Sequence, residues 1–151
     1  MIRSRALVGV LATCAALGLA GCEKPAPGVT IFSGSDSTHS EAVCWSFTEE
    51  PLDVTECAEG IATAAPDQQL QSIEVRPGAT LGISVDPEVA EAGWTPTIDN
   101  QPLSSEPLTA TYFRFTFPDL GFSSGQLGLQ IVAGDTSQQR GIWAFVLDAV
   151  Q

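Results

Sequence analysis

Apolar and polar residues alternate with a period of two along most of this chain, which is typical of β-strands that bury one face. The clearest stretch is residues 109–117, where three phenylalanines share one face. Turn residues such as Pro77-Gly78 and Asp99-Asn100 separate the alternating stretches, roughly every 8–12 residues. We therefore expect an all-β chain that folds as an immunoglobulin-like β-sandwich of seven to eight short strands.

One short helix is expected among these strands. Asp86 is a suitable N-cap, Pro87 suits the first helical position and Gly93 ends the segment, so a helix of barely two turns is predicted. The acidic segment 49–65 is expected to be a connection with at most a single turn of helix. One continuous strand is expected over residues 39–47.

The first 22 residues predict export. Arg3 and Arg5 precede an uncharged run over 6–20, which is typical of a secretory signal and shorter than the ~20 residues of a membrane-spanning helix. The run ends in Leu19-Ala20-Gly21-Cys22, which matches the bacterial lipobox. The thiol of Cys22 is therefore expected to receive a diacylglyceryl group and to become the mature N-terminus. The alternative is an ordinary signal peptide that is cut elsewhere.

These features divide the chain into three parts. Residues 1–21 are a lipoprotein signal peptide, residues 22–28 are a lipid-anchored tether whose prolines favour an extended chain, and residues 29–151 are a single β-sandwich domain. The domain is expected at the extracytoplasmic face of the cell membrane, attached through the lipid on Cys22.

The charge of the exported part excludes one class of partner. Because Arg3 and Arg5 lie in the signal peptide, the rest of the chain carries four of the six basic side chains against all 18 acidic ones, a net charge of −14. Such a domain is repelled by phosphate backbones, so no nucleic acid is expected to bind.

Two cysteines remain once Cys14 is removed with the leader and Cys22 is lipidated. Cys44 and Cys57 form an even pair in an exported chain, which predicts a disulfide. A redox-active pair would be expected as Cys-x-x-Cys, and twelve residues separate these two. Catalytic or metal-binding thiols are the less favoured alternative.

No catalytic residue, cofactor site or metal site is predicted. His39 is the only histidine, and its polar neighbours favour an exposed structural role over a catalytic one. A group of acidic residues lies in and just beyond the cysteine loop: Glu49, Glu50, Asp53, Glu56 and Glu59. We interpret it as a solvated acidic loop, because the alternating spacing of a calcium loop is missing. Paired carboxylates for glycoside hydrolysis stay open as an alternative.

The aromatic residues suggest a core and one surface patch. Trp45, Trp94 and Trp143 lie in or beside apolar strand patterns, so all three are expected in the core. Tyr112 and Arg114 share the strand face opposite the three phenylalanines. This pair is the predicted partner-facing patch, and the alternative is an ordinary solvated strand face.

Four segments resemble a family of actinobacterial secreted lipoproteins of unknown function. They are Cys22-Glu23-Lys24-Pro25, Glu41-Ala42-Val43-Cys44-Trp45, Val85-Asp86-Pro87-Glu88-Val89-Ala90 with Gly93-Trp94, and Gly141-Ile142-Trp143-Ala144-Phe145. The resemblance implies a membrane-anchored extracytoplasmic protein. Only the lipidated Cys22 carries over as a functional residue.

The sequence as a whole favours a non-catalytic binding or interaction module of the cell envelope. Its expected partners are the membrane, through the lipid on Cys22, and a membrane-bound envelope protein. The alternatives are a small hydrolase that uses paired carboxylates and a structural envelope protein without a ligand. The oligomeric state stays open at this point.

Overall fold

The computed structural model of the chain describes residues 24–48, 50–63, 70–119, 124–135 and 137–150, and over these residues the protein is an all-β sandwich. A four-stranded sheet, sheet A, packs against a six-stranded sheet, sheet B. The described residues form ten strands and two helices. The predicted sandwich class is confirmed, with more strands than the seven to eight expected because two of them are only two residues long.

Sheet A is antiparallel throughout, with the strand order β2-β1-β5-β8. Its strands are β1 (Gly28–Ser33), β2 (Asp36–Glu41), β5 (Thr80–Val85) and β8 (Tyr112–Thr116). The turn between β1 and β2 contains Gly34 at a φ of 62°, a conformation that glycine adopts without steric cost.

Sheet B has the order β3-β10-β9-β6-β7. β4 also belongs to this sheet: it pairs in parallel with β10, on the same side of β10 as β3. Its strands are β3 (Cys44–Trp45), β4 (Gln71–Val75), β6 (Trp94–Ile98), β7 (Gln101–Pro102), β9 (Ser124–Gly134) and β10 (Gln139–Val150). Asp99 and Asn100 form the turn between β6 and β7, both with positive φ. A two-residue hairpin turn requires positive φ at both of its central residues. The turn predicted at Asp99-Asn100 is therefore confirmed.

The predicted short helix is present as α2 (Pro87–Ala92), which begins after Asp86 and ends before Gly93. Asp86 occupies the N-cap position, but its side chain does not cap the helix. Its Oδ2 accepts a hydrogen bond of 2.7 Å from the backbone N–H of Gly28 instead. The carboxylate therefore links the start of α2 to the start of β1.

A second helix, α1 (Val54–Thr63), replaces the acidic connection that the sequence predicted. The expectation of at most one turn was wrong, because α1 has ten residues. Asp53 caps it: its Oδ1 accepts hydrogen bonds from the backbone N–H groups of Thr55 (2.9 Å) and Glu56 (3.1 Å). Two otherwise unpaired N–H groups of the first turn are satisfied in this way.

The strand predicted over residues 39–47 is divided between the two sheets. β2 ends at Glu41 and β3 begins at Cys44. Between them, Ala42 N–H donates to Pro27 O (3.1 Å) and Val43 N–H donates to Ile142 O (2.8 Å), so the chain passes from sheet A to sheet B here. Alternation continues through this crossing, which is why the sequence alone did not reveal it.

The core lies between the sheets and contains two fully buried tryptophans, Trp94 and Trp143. Trp94 Nε1 donates to Ala110 O (2.8 Å), so its one polar atom is satisfied despite burial. Trp45 differs from the prediction, because it is only partly buried. Its ring packs on Trp143 at a centroid distance of 5.8 Å, above Gly141, where a Cβ would collide with both rings.

Candidate binding surface

The outer face of sheet A gathers four large side chains from three strands. Thr30 on β1 pairs with His39 on β2 and with Ser84 on β5, and Ser84 pairs with Tyr112 on β8. Directly opposed residues point to the same side of a sheet. His39 and Tyr112 therefore lie in one row across the outer face.

A second row lies directly beside the first. Phe32 on β1 pairs with Gly82 on β5, and Gly82 pairs with Arg114 on β8. We call the surface formed by Phe32, His39, Tyr112 and Arg114 the aromatic face. The opposite side of the same strands carries the fully buried Ile31 and Ile83, so the aromatic face points away from the core.

Gly82, which has no side chain, lies at the centre of the aromatic face, and the ring of Tyr112 lies over it. A Cβ at Gly82 would lie 2.8 Å from the hydroxyl oxygen of Tyr112, so the phenol ring crosses over the glycine. Tyr112 nevertheless stays 52% exposed, and Phe32 is 38% exposed. Exposed aromatic rings with a polar tip are enriched where proteins contact partners.

His39 is exposed and held by its neighbours in sheet A. Its Nδ1 lies 2.9 Å from Thr30 Oγ1, and its ring covers Gly28, where a Cβ would collide with it. The exposure that the sequence predicted for His39 is therefore confirmed.

Arg114 differs from the other three cations that the structure describes. Lys24 pairs with Glu88, Arg76 pairs with Glu74 at 3.0 Å, and Arg140 donates to Ser46 O at 3.4 Å. Arg114 forms no ion pair or hydrogen bond through its side chain with any residue in the described part of the chain. Its guanidinium is therefore available to a partner, and the predicted pair with Tyr112 is part of a larger surface.

The predicted disulfide is confirmed. Cys44 on β3 and Cys57 on α1 are bonded, with their Cα atoms 5.9 Å apart. The bond attaches α1 to the edge of sheet B, whereas the disulfide of immunoglobulin domains joins the two sheets. Cys57 is 6% exposed, so this end of the bond is shielded from solvent.

The acidic residues that the sequence singled out do not form one loop. Glu50 precedes α1, Asp53 caps it, and Glu56 and Glu59 lie exposed on it. Glu49 lies outside the described residues. Across the described ranges, no group of three or more His, Cys, Asp or Glu residues is placed to share a metal ion.

The outer face of sheet B carries a second feature, a shallow depression of about 300 Å³ that no sequence motif indicated. Thr97, Asp99, Gln126 and Val146 contribute to its lining. Gly128 also lines it, and the Gly128 N–H donates to Asp99 Oδ1 at 2.9 Å. The one aromatic residue in the lining, Phe145, is buried, so the depression lacks the exposed aromatic rings of the aromatic face.

A comparison of this chain with known protein families, curated proteins and solved structures finds no match. The resemblance to secreted lipoproteins therefore stays a prediction. Neither helix in the described residues is long and apolar enough to cross a membrane. Cys22 and the signal peptide lie outside the described residues, so the lipidation site stays a prediction as well.

Proposed function

We propose that this protein is a membrane-anchored extracytoplasmic binding module of the cell envelope, attached through a lipid on Cys22. The observation that carries the proposal is the aromatic face. It combines two exposed aromatic rings, Phe32 and Tyr112, with the guanidinium of Arg114 in a domain that is otherwise strongly acidic. Tyrosine, phenylalanine and arginine are the residues enriched at protein interfaces.

The attachment of the N-terminal segment supports a partner at the membrane surface. Pro27 is buried, and its carbonyl oxygen accepts hydrogen bonds from Trp143 Nε1 (2.9 Å) and Ala42 N–H (3.1 Å). The chain is thus fixed to the domain one residue before β1 begins. The six residues from Cys22 to Pro27 are joined by five Cα–Cα steps, which reach roughly 17 Å when fully extended and keep the domain close to a bilayer that holds the lipid.

The aromatic face lies near this attachment point. Gly28 begins β1, and Thr30 is two residues further, about 7 Å along the strand. Thr30 belongs to the row that contains His39 and Tyr112. A second protein bound to the same membrane could therefore contact the aromatic face without an extended linker.

Site-specific photocrosslinking in cells tests this function. We would place a photoreactive residue at Tyr112 and, as the matched control, at Gln130, which is exposed on the outer face of sheet B. We expect Tyr112 to crosslink to a membrane-bound protein in addition to any crosslink to a second copy of this chain, and Gln130 not to crosslink to that protein. The crosslink should weaken when Arg114→Ala is added.

Two results would contradict the proposal. One is the same crosslinked protein at both positions, which would indicate chance proximity. The other is a Tyr112 crosslink that Arg114→Ala leaves unchanged, because the guanidinium is the polar part of the proposed surface.

A further inference from the structure

The edges of the two sheets are protected unequally. In sheet B, β7 is two residues long and ends in Pro102, and β3 is two residues long and carries the disulfide to α1. β4 and β2 lie together on one side of the sandwich, where Thr38 Oγ1 donates to Gln71 Oε1 at 3.3 Å. Short strands, proline and covering contacts of this kind prevent unwanted pairing at sheet edges.

In the described part of the chain, β8 contains no proline and is longer than the two-residue strands β3 and β7. It is five residues long, and among the described residues it pairs with β5 alone. The hydrogen bonds from Val85 N–H to Thr111 O (2.9 Å) and from Phe117 N–H to Ala79 O (2.8 Å) fix which residues face β5. In an antiparallel ladder the alternate residues, Tyr112, Arg114 and Thr116, direct their N–H and C=O groups away from β5, towards the open edge.

We propose that two copies of this chain associate by antiparallel pairing of β8 with β8 of the second copy, on a twofold axis at Phe113. In this register the outward N–H and C=O groups of Tyr112 face those of Arg114 in the other copy. The twofold axis repeats this pair, so it occurs twice in the dimer. On the outer face each Tyr112 ring then lies opposite a guanidinium, a cation–π arrangement. On the inner face, the two half-buried Phe113 side chains lie opposite each other.

The neighbouring registers are less favourable. An axis at Arg114 places the two guanidinium groups opposite each other, and like charges in this position are destabilising. An axis at Phe115 places Tyr112 opposite Pro118, which has no N–H to donate. An axis at Tyr112 places Arg114 opposite Ala110, which offers the guanidinium no partner. The sequence of β8 is therefore self-complementary in one register.

We assign this edge to a second copy of the chain and not to a basic partner protein. The salt dependence of binding distinguishes these two occupants. Each domain carries a net charge of −14, so two copies repel each other at long range, although Arg114 provides positive charge at the contact itself. Salt screens this repulsion over a Debye length of about 8 Å at physiological ionic strength. Association of two copies should therefore strengthen with added salt, whereas binding of a basic partner should weaken.

Disulfide trapping tests the register in the purified full chain that carries Cys14→Ser and Cys22→Ser, so that the introduced cysteine is its only thiol outside the Cys44–Cys57 bond. Phe113→Cys should give a covalent dimer under mild oxidation, because the two introduced thiols would face each other across the twofold axis, close enough to bond. Phe115→Cys is the matched control, because its two introduced thiols would lie roughly 13 Å apart along the strands. The same chain without a cysteine at position 113 or 115 should stay monomeric on a non-reducing gel. Trapping of Phe115→Cys as readily as Phe113→Cys would overturn the proposal.

Substitutions of exposed residues test the same pairing without disturbing the core. Tyr112→Glu should keep the dimer or tighten it, because the new carboxylate lies opposite Arg114 of the second copy. Arg114→Glu should raise the dimer dissociation constant tenfold or more in sedimentation experiments. A wild-type chain that is monomeric at all concentrations, or a dimer that Arg114→Glu leaves unchanged, would overturn the proposal. Disulfide trapping and sedimentation both use the purified chain without a lipid or another protein. Their outcome is therefore independent of the proposed binding function.

Discussion

Trp143 Nε1 donates a hydrogen bond of 2.9 Å to the carbonyl oxygen of Pro27, so a fully buried side chain of β10 holds the residue that precedes β1. This contact joins the last strand of the chain to the segment that follows the predicted lipid anchor. It spans 116 positions of sequence, and it fixes where the domain begins relative to Cys22.

Removing this contact should destabilise the domain and release its N-terminal segment. Trp143→Phe keeps an aromatic ring but loses the donor and some volume, with an expected loss of about 1–3 kcal/mol in the free energy of unfolding. Chemical denaturation measures the loss, and limited proteolysis near Pro27 measures the release. Trp45→Phe is the control, because Trp45 is only partly buried. Equal losses in the two variants would show that the hydrogen bond to Pro27 is unimportant.

Removing the disulfide should lower the melting temperature by several degrees. Cys44 and Cys57 close a short loop of sequence separation 13, for which the chain-entropy estimate is about 3 kcal/mol. Because the bond attaches α1 to β3, the double variant Cys44→Ser/Cys57→Ser should also be cleaved faster by protease within α1 than the parent. Calorimetry and proteolysis measure the two effects. An unchanged melting temperature would contradict the structural role of the bond.

The hairpin between β9 and β10 should contribute a pH-dependent part of the stability through Asp135. Hydrogen bonds from Ser137 Oγ, Ser137 N–H and Gln138 N–H hold the pKa of this carboxyl below its ordinary value of 3.8. A carboxylate with a lowered pKa stabilises the folded state above the unfolded pKa, and this stabilisation is lost as pH falls through the folded value. The effect is therefore complete at neutral pH and is lost progressively as pH falls below 3.8.

Asp135→Asn should accordingly be less stable than the parent at pH 7, and the difference should shrink in strongly acidic solution. Denaturant unfolding at both pH values measures this. Glu91→Gln is the control, since Glu91 is exposed on α2 and should change the stability at pH 7 by less than about 0.5 kcal/mol. A difference that stays constant with pH would exclude the carboxylate as its source.

Membrane attachment should depend on Cys22. Cys22→Ser removes the thiol that we propose receives the diacylglyceryl group, so the chain should accumulate as an unprocessed precursor or be released. Membrane fractionation and intact mass measure the outcome, and Cys14→Ser, within the predicted signal peptide, is the matched control. If Cys22→Ser and the parent fractionate alike with the same mass, the lipobox interpretation is wrong.

Local patterns in the sequence determined much of the fold. The period-two alternation identified the sandwich class, and Asp86, Pro87 and Gly93 located α2 because helix ends have local signals. The pairing of Cys44 with Cys57 followed from elimination, since the other two cysteines lie in or at the end of the predicted leader. Tyr112 and Arg114 shared a strand face by alternation alone, which was enough to propose them as a surface pair.

Other features depended on tertiary contacts that no local pattern contains. Phe32 and His39 joined Tyr112 and Arg114 only because β5 lies between β1 and β8, and strand order is a property of the folded sheet. The division of residues 39–47 between two sheets left the alternation intact, so the crossing was invisible in the sequence. The sequence did not predict α1 because its acidic residues resemble those of a solvated loop. In the folded protein, the disulfide attaches α1 to β3. The sequence thus determined which residues form strands, whereas strand order determined which side chains meet, because contacts between strands join residues far apart in the chain.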